Sequence, residues 1–264
     1  PYTGSYKLAG IRLRDVERVV IGDSSMHSNI SANTFSDASY GIMAYNAGFE
    51  CYNNTFSNIN YDVDGASVEE KHKGSCIYSY SESDYNDRKT IIGSKNFNSG
   101  APASHKNIFT LSVNGIVSVG EMNLKVFNNE FGNGNTNDRI LNYGIWTFGT
   151  KNKEVFISRE NKFYDYNVGI RANEIYRDGA FNIADNKFYN AFLNPPLLGR
   201  FEGTAIIATN RFTPTPPIGE LAFADVHPLQ ILKNTIGEDN GNSEPRLGIV
   251  VGSIFRPVIQ ENKI

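Results

Sequence analysis

The sequence predicts an all-β solenoid in which short parallel strands stack turn upon turn, and three observations predict it. The first is a phrase, Asn-x-Phe or Asn-x-Ile, that returns along the whole chain. It stands at Asn33-Thr34-Phe35, Asn54-Thr55-Phe56, Asn129-Glu130-Phe131 and Asn161-Lys162-Phe163, and again at Asn186-Lys187-Phe188, Asn210-Arg211-Phe212, Asn234-Thr235-Ile236 and Asn262-Lys263-Ile264. From Asn161 on, successive asparagines lie 25, 24, 24 and 28 residues apart. Self-similarity at a period between about 20 and 50 residues marks a repeat architecture. The second observation is a Gly-Ile strand start after the Asn phrase: Gly10-Ile11, Gly41-Ile42, Gly115-Ile116, Gly144-Ile145, Gly169-Ile170 and Gly248-Ile249, with Cys76-Ile77 and Glu220-Leu221-Ala222-Phe223 as looser copies. The third is composition. Gly (24 residues), Asn, Ser and Tyr are abundant and long runs of strong helix formers are absent, which favours strands and turns.

Within one repeat each element has a physical reason. Residues 144–148 read as a first strand, 149–154 as a polar turn and 155–160 as a second strand. Asn161 makes a sharp corner, and 162–164 form a short third strand. Three short strands in about 24 residues leave no room for a crossover helix of a dozen. Each strand must therefore pair with its counterpart in the next repeat, giving parallel ladders about 4.8 Å apart. Asn suits the corner because its amide tolerates left-handed geometry and bonds nearby backbone, and stacked asparagines can bond one another. The Phe two residues later then recurs on one side, so Phe35, Phe56, Phe131, Phe163, Phe188 and Phe212 are expected to form a buried column continued by Ile236 and Ile264. The residue three before the corner is mostly apolar: Ile30, Val126, Ile183, Ile207, Ile231 and Ile259. Cys51 falls in that register and reads as a buried free thiol. Cys76 sits at a Gly-type strand start, and pairing of the two cysteines is the alternative.

These residues resemble the right-handed parallel β-helix of the pectin-lyase-like superfamily, from about Gly10 to Ile264. The resemblance implies a single-stranded right-handed β-helix of roughly eight to ten coils, three short strands to each. It implies a fold and leaves the function open, since one fold hosts many activities. Residues 1–264 are expected to be one β-helix domain and a segment of a longer chain with flanking domains, in the style of bacterial secreted or surface β-helix proteins.

Irregular stretches interrupt the period. Between Asn54 and Asn129 lie 75 residues, in which Thr90-Ile91-Ile92-Gly93-Ser94-Lys95-Asn96-Phe97 reads as a corner with Lys95 in place of Asn. Asn107-Ile108-Phe109 also matches the phrase, but the polar Ser104 three residues earlier leaves it unassigned. Excursions are expected at 57–75 and 98–112, a bulge at 17–27, and loops at 190–203 and 213–219, where prolines exclude a central strand.

Alternation along the Gly-Ile strands carries the functional inference. The Ile and the residue two after it face inward, so Met43 and Tyr45, Tyr78 and Tyr80, Val117 and Val119, Trp146 and Phe148, and Arg171 and Asn173 face outward in neighbouring repeats. An apolar stripe of this size points to a covered face or a binding face. The excursions or another domain could cover it. As a binding face, Tyr45, Tyr78, Tyr80, Trp146, Phe148 and Arg171 are the candidate carbohydrate-binding residues, because in β-helices that act on polysaccharides this sheet floors the sugar groove.

Catalysis and metals find less support. Glycosidases need paired carboxylates at set separations, and the outward Gly-Ile positions hold no Asp or Glu. Glu82, Asp84, Asp87, Glu174, Asp178, Asp225 and His227 read as solvated turns. Asp62-Val63-Asp64-Gly65, with Glu69 and Glu70, lacks the full ligand set of a calcium loop and reads as a charged surface loop. The four histidines show no ligand spacing. The sequons Asn29-Ile30-Ser31 and Asn53-Asn54-Thr55 abut core positions. No catalytic residue, metal ligand or cofactor is assigned. Net charge −3 and a pI near 5.9 make no case for a nucleic-acid partner, and no run reaches the roughly 18 apolar residues of a membrane helix. The expected function is a secreted or cell-surface, non-catalytic protein binding a polysaccharide or surface glycan, as adhesin or stalk. The alternatives are a polysaccharide lyase or glycoside hydrolase with loop-borne acids, and a viral or phage receptor-binding spike.

Overall fold

The computed structural model describes residues 9–22, 33–59, 72–82, 87–93, 106–120, 123–149, 154–175, 180–191, 203–210, 229–237, 247–254 and 256–264. Three kinds of strand follow one another in cycles. The first ladder is built from Ile11–Arg14, Tyr40–Tyr45, Ser75–Ser81, Ser112–Gly120, Ile140–Phe148, Tyr166–Asn173, Thr204–Thr209 and Leu247–Gly252, paired in parallel in that order. The second is an eight-stranded sheet running from Val19–Gly22 and Phe49–Tyr52 through Lys89–Gly93, Asn123–Phe127, Glu154–Ser158 and Ala180–Ala184 to Leu229–Leu232 and Val258–Gln260. The third joins Asn33–Ala38, Asn54–Ile59, Ile108–Phe109, Glu130–Phe131, Lys162–Phe163, Lys187–Phe188 and Thr235–Ile236, again all parallel. The molecule is thus all-β and solenoid-like, as the repeat predicts.

The two sequence phrases turn out to be one packing device. Phe35, Phe56, Phe109, Phe131, Phe163 and Phe188 stack with ring centroids 4.7–5.0 Å apart and planes within 12°, and Ile236 pairs with Phe188 to continue the column. Each ring lies against the glycine that opens the first strand of its own repeat. A Cβ on Gly41, Gly115, Gly144 or Gly169 would come within 2.5–2.8 Å of the ring of Phe56, Phe131, Phe163 or Phe188. Where the glycine gives way to Ala205, in register with Gly169, the ring has given way to the slimmer Ile236. Cys76 is the exception. Beside this column, Ile21, Cys51, Ile92, Val126, Ile157, Ile183 and Ile231 align on the second ladder and are almost fully buried.

The corner asparagines form a continuous amide row. Asn33 Nδ2 donates to Asn54 Oδ1, and the pattern repeats through Asn107, Asn129, Asn161, Asn186, Asn234 and Asn262 at 2.9–3.1 Å. From Asn54 on, each Nδ2 also reaches a second-ladder carbonyl one repeat back, as Asn161 does to Val126 O and Asn186 to Ile157 O. The left-handed geometry expected of the asparagine belongs instead to the residue before it: Asn53, Asn128, Glu160, Asp185, Lys233 and Glu261 have φ between 50° and 64°. The amide holds the bend while its neighbour adopts it.

Several expectations are corrected, beginning with the bulge at 17–27, within which Val19–Gly22 is a strand of the second ladder. The corner of the third repeat is Asn107, not Lys95: Lys89–Gly93 is a second-ladder strand, and its corner follows only after residues 94–105, so the apolar residue sought three places earlier is supplied by Ile92. Asn210 is not a corner either. It ends the first-ladder strand Thr204–Thr209 and bonds Ile175 through its Oδ1 and Nδ2, while Asn186 passes directly to Asn234. Ile207 consequently faces outward on the first ladder, paired with Arg171. Thr204–Thr209 is the first-ladder strand between Tyr166–Asn173 and Leu247–Gly252; the Glu220-Leu221-Ala222-Phe223 copy lies outside the described residues, as do Ile30, Asp225 and His227. The buried free thiol expected of Cys51 is present, and Cys76 is free and buried too, so the alternative of a disulfide between them falls.

Candidate functional site

The first ladder presents its outer face as the alternation predicts. Ile42, Ala44, Ile77, Ser79, Ile145, Thr147, Ile170 and Ala172 are inward and at most 1% exposed. Register aligns Met43, Tyr78, Val117, Trp146, Arg171 and Ile207 in one outward row. A second outward row runs Tyr45, Tyr80, Val119, Phe148, Asn173 and Thr209 in the same pairings. Burial is graded along the stripe. Met43, Tyr78 and Val117 are buried, Tyr45, Tyr80, Trp146 and Arg171 are half-buried, and Phe148 is 41% exposed.

Five of the six candidate residues meet in one cleft of about 720 Å³: Tyr78, Tyr80, Trp146, Phe148 and Arg171. That volume lies within the range of small-molecule sites. Tyr45 stands outside it. Its ring meets Tyr78 edge-on at 6.0 Å and Tyr80 at a tilt, also 6.0 Å, and so backs the cleft's aromatic wall. His72 closes the same end, stacked on Tyr78 with centroids 4.4 Å apart. The opposite end is polar, formed by Asn173, Glu174, Thr209 and Asn210.

A hydrogen-bonded network fixes the middle. Asn173 Oδ1 accepts from Trp146 Nε1 at 3.1 Å and from Arg171 Nε at 2.8 Å, and its Nδ2 donates to Thr209 Oγ1 at 2.9 Å. Arg171 Nη1 donates to Tyr143 Oη at 2.6 Å, with the guanidinium 5.3 Å above the Tyr143 ring. Trp146 bridges two outer apolar clusters, one around Tyr40, Met43, Tyr78 and Val117 and one around Tyr143, Val168 and Ile207. Burial raises the phenol pKa of both Tyr78 and Tyr143, the Arg171 charge opposing it at Tyr143, so both remain neutral hydrogen-bonding groups.

Alternation alone missed Tyr143, which it would place inward beside Ile145. Tyr143 nevertheless lies on the outer face, clustered with Val168 and Ile207 and bonded to Arg171, so the alternation breaks between Tyr143 and Ile145. A glycine inside a strand pattern, here Gly144, is the signal of such an irregularity. His72 and Thr209 were missed because they lie outside the recognised strands. Glu174 sits in a turn, as predicted, at φ +56°, but it lines the cleft rather than standing free in solvent. Asp84, Asp178 and the segment 62–70 lie outside the described residues.

No protein-family model matches the chain, and searches of curated proteins and of solved structures find no match either.

Proposed function

We propose that this chain is a right-handed parallel β-helix of eight coils, of the pectin-lyase-like kind, whose first-ladder face binds a glycan without catalysis. In this reading it works outside the cell, secreted or at a surface, as an adhesin or stalk. The observation that carries the reading is the cleft in which Tyr78, Tyr80, Trp146 and Phe148 lie beside Arg171 and Asn173. Aromatic rings offer apolar faces to the C–H faces of sugar rings, while amide, hydroxyl and guanidinium groups serve sugar hydroxyls. Among the described residues lining the cleft, Glu174 is the one carboxylate, whereas glycosidases act through a pair.

Retention on an immobilised polysaccharide array tests the proposal. Native protein is expected to be held by at least one glycan, and Phe148→Ala to weaken that retention at least tenfold without changing the melting temperature. A native protein held by none, or a Phe148→Ala variant held equally well, would overturn it.

A further inference from the structure

Arg171 is the cation of the cleft, and the way it is held is unusual. Two of its five guanidinium N–H groups are spent on Asn173 Oδ1 and Tyr143 Oη. Among the described residues it has no carboxylate partner: Glu174 lines the same cleft without forming an ion pair with it. A guanidinium is ordinarily fixed by an acid, which orients it and neutralises it together. Here a neutral amide and a phenol do the orienting, so the charge is left uncompensated.

The amide is itself locked. Thr209 takes the Nδ2 side through its Oγ1 and, at 3.4 Å, its backbone oxygen, so Oδ1 faces the two donors, Trp146 Nε1 and Arg171 Nε. One side chain therefore sets both the ring plane of Trp146 and the plane of the guanidinium. Trp146 and Arg171 are register partners, one strand spacing of about 4.8 Å apart. A group that meets Arg171 belongs to the sugar unit stacked on Trp146 or to its neighbour.

We propose that Asn173 and Arg171 make the cleft selective for a glycan bearing an anionic group, with Asn173 the positioning residue that fixes the guanidinium without discharging it. This rests on the reading that the cleft binds a glycan. Carboxylate, sulfate and phosphate share the required chemistry, and bidentate contact with a preorganised arginine suits each. Glu174, at the rim, works against the anion.

Trp146 is the sole tryptophan of the chain, so its emission reports on this site alone. Native protein is titrated at fixed physiological salt with dextran, carboxymethyl-dextran, dextran sulfate and dextran phosphate, which share a backbone and separate the three anions. At least one charged form is expected to bind tenfold or more tightly than dextran. Arg171→Gln and Asn173→Asp should each abolish that preference, the latter because an aspartate keeps an acceptor for Arg171 Nε while neutralising its charge. Glu174→Gln should strengthen it. Asn173→Asp should leave the affinity for neutral dextran unchanged, whereas a purely structural role for Asn173 would weaken binding of dextran and its charged forms alike. Equal binding of dextran and its charged forms, or a preference that survives Asn173→Asp, overturns the proposal and leaves glycan binding standing. No response to any of the four overturns it as well, and retention on the neutral glycans of the array then decides the glycan reading separately.

Discussion

Asn186 donates its Nδ2 to the Oδ1 of Asn234 at 3.0 Å across 48 residues of chain, passing over Asn210, which carries the same Asn-x-Phe phrase. The two asparagines that look alike in sequence therefore differ in consequence. Asn186 is fully buried in the amide row, and Asn186→Ala strips partners from Asn161 Nδ2, Asn234 Oδ1 and Ile157 O. At about 1–3 kcal/mol for each buried group left unsatisfied, and with other bonds remaining at each, a loss of about 2–4 kcal/mol is expected. Asn210 is half-buried and, among the described residues, its side chain bonds the Ile175 backbone alone, so Asn210→Ala should cost about 1 kcal/mol. Urea midpoints of the two variants measure the difference. Equal losses would mean that the row does not set the stability of the corner.

That contrast shows where the sequence was legible and where it was not. Ladders, corners and core columns follow from period and alternation, which depend on local sterics and recur in every repeat. The Lys95 and Asn210 readings failed for one reason: the phrase was counted at its average spacing, whereas a solenoid accepts a long insertion at either side of a corner without changing the stack. Asn107 is found 15 residues after Ile92 and Asn234 is found 48 after Asn186, and only pairing in space reveals either. At the site, alternation located Tyr78, Tyr80, Trp146, Phe148 and Arg171. The network through Asn173 was not legible, because it depends on side-chain directions across three strands, and Tyr143 was hidden by the break in alternation at Gly144.

The glycine–phenylalanine contact makes a second prediction. An alanine Cβ at 144 would lie 2.7 Å from the Phe163 ring and 2.6 Å from Gly169 O, so Gly144→Ala is expected to destabilise by about 1–3 kcal/mol through overpacking. Phe163→Leu loses part of a fully buried ring and should cost about 1–2 kcal/mol. Combined, they should cost less than the two losses added, by about 0.5 kcal/mol or more, because the smaller side chain yields space to the new methyl. The Ala205 and Ile236 pair already has this form. A double-mutant cycle by chemical denaturation gives the coupling, and strict additivity would show that ring and glycine do not constrain each other.

The thiols predict a pH dependence. Burial pushes Cys76 from its ordinary 9.0 up to about 12, and Cys51 higher still. Both stay protonated in the native state, so a thiolate-specific reagent such as DTNB should find no reactive cysteine at pH 8 and two after denaturation. The sign for stability follows. Between pH 9 and about 12 an unfolded Cys76 ionises while the folded one does not, so the unfolded state gains and stability falls as pH rises; below pH 9 the term is absent. Cys76→Ala should flatten the fall in urea midpoint over that window. A native protein that reacts rapidly at pH 8 would contradict the buried placement of both residues.

Trp146 has two roles that one substitution can separate. It is half-buried, touches both outer clusters and donates Nε1 to Asn173. Truncating a fully buried Trp costs about 3–5 kcal/mol, so Trp146→Ala should cost roughly half that and lower the melting temperature. Phe148, beside it on the same strand and 41% exposed, should cost well under 1 kcal/mol when truncated, as surface changes do. Trp146→Phe keeps an aromatic face for the ligand and loses only the indole N–H. It should therefore retain more binding than Trp146→Ala at a temperature where both remain folded. Thermal melts run beside binding titrations decide the matter. If Trp146→Phe binds as poorly as Trp146→Ala while melting like the native protein, the N–H contact with Asn173 matters more to the site than the stacking face does.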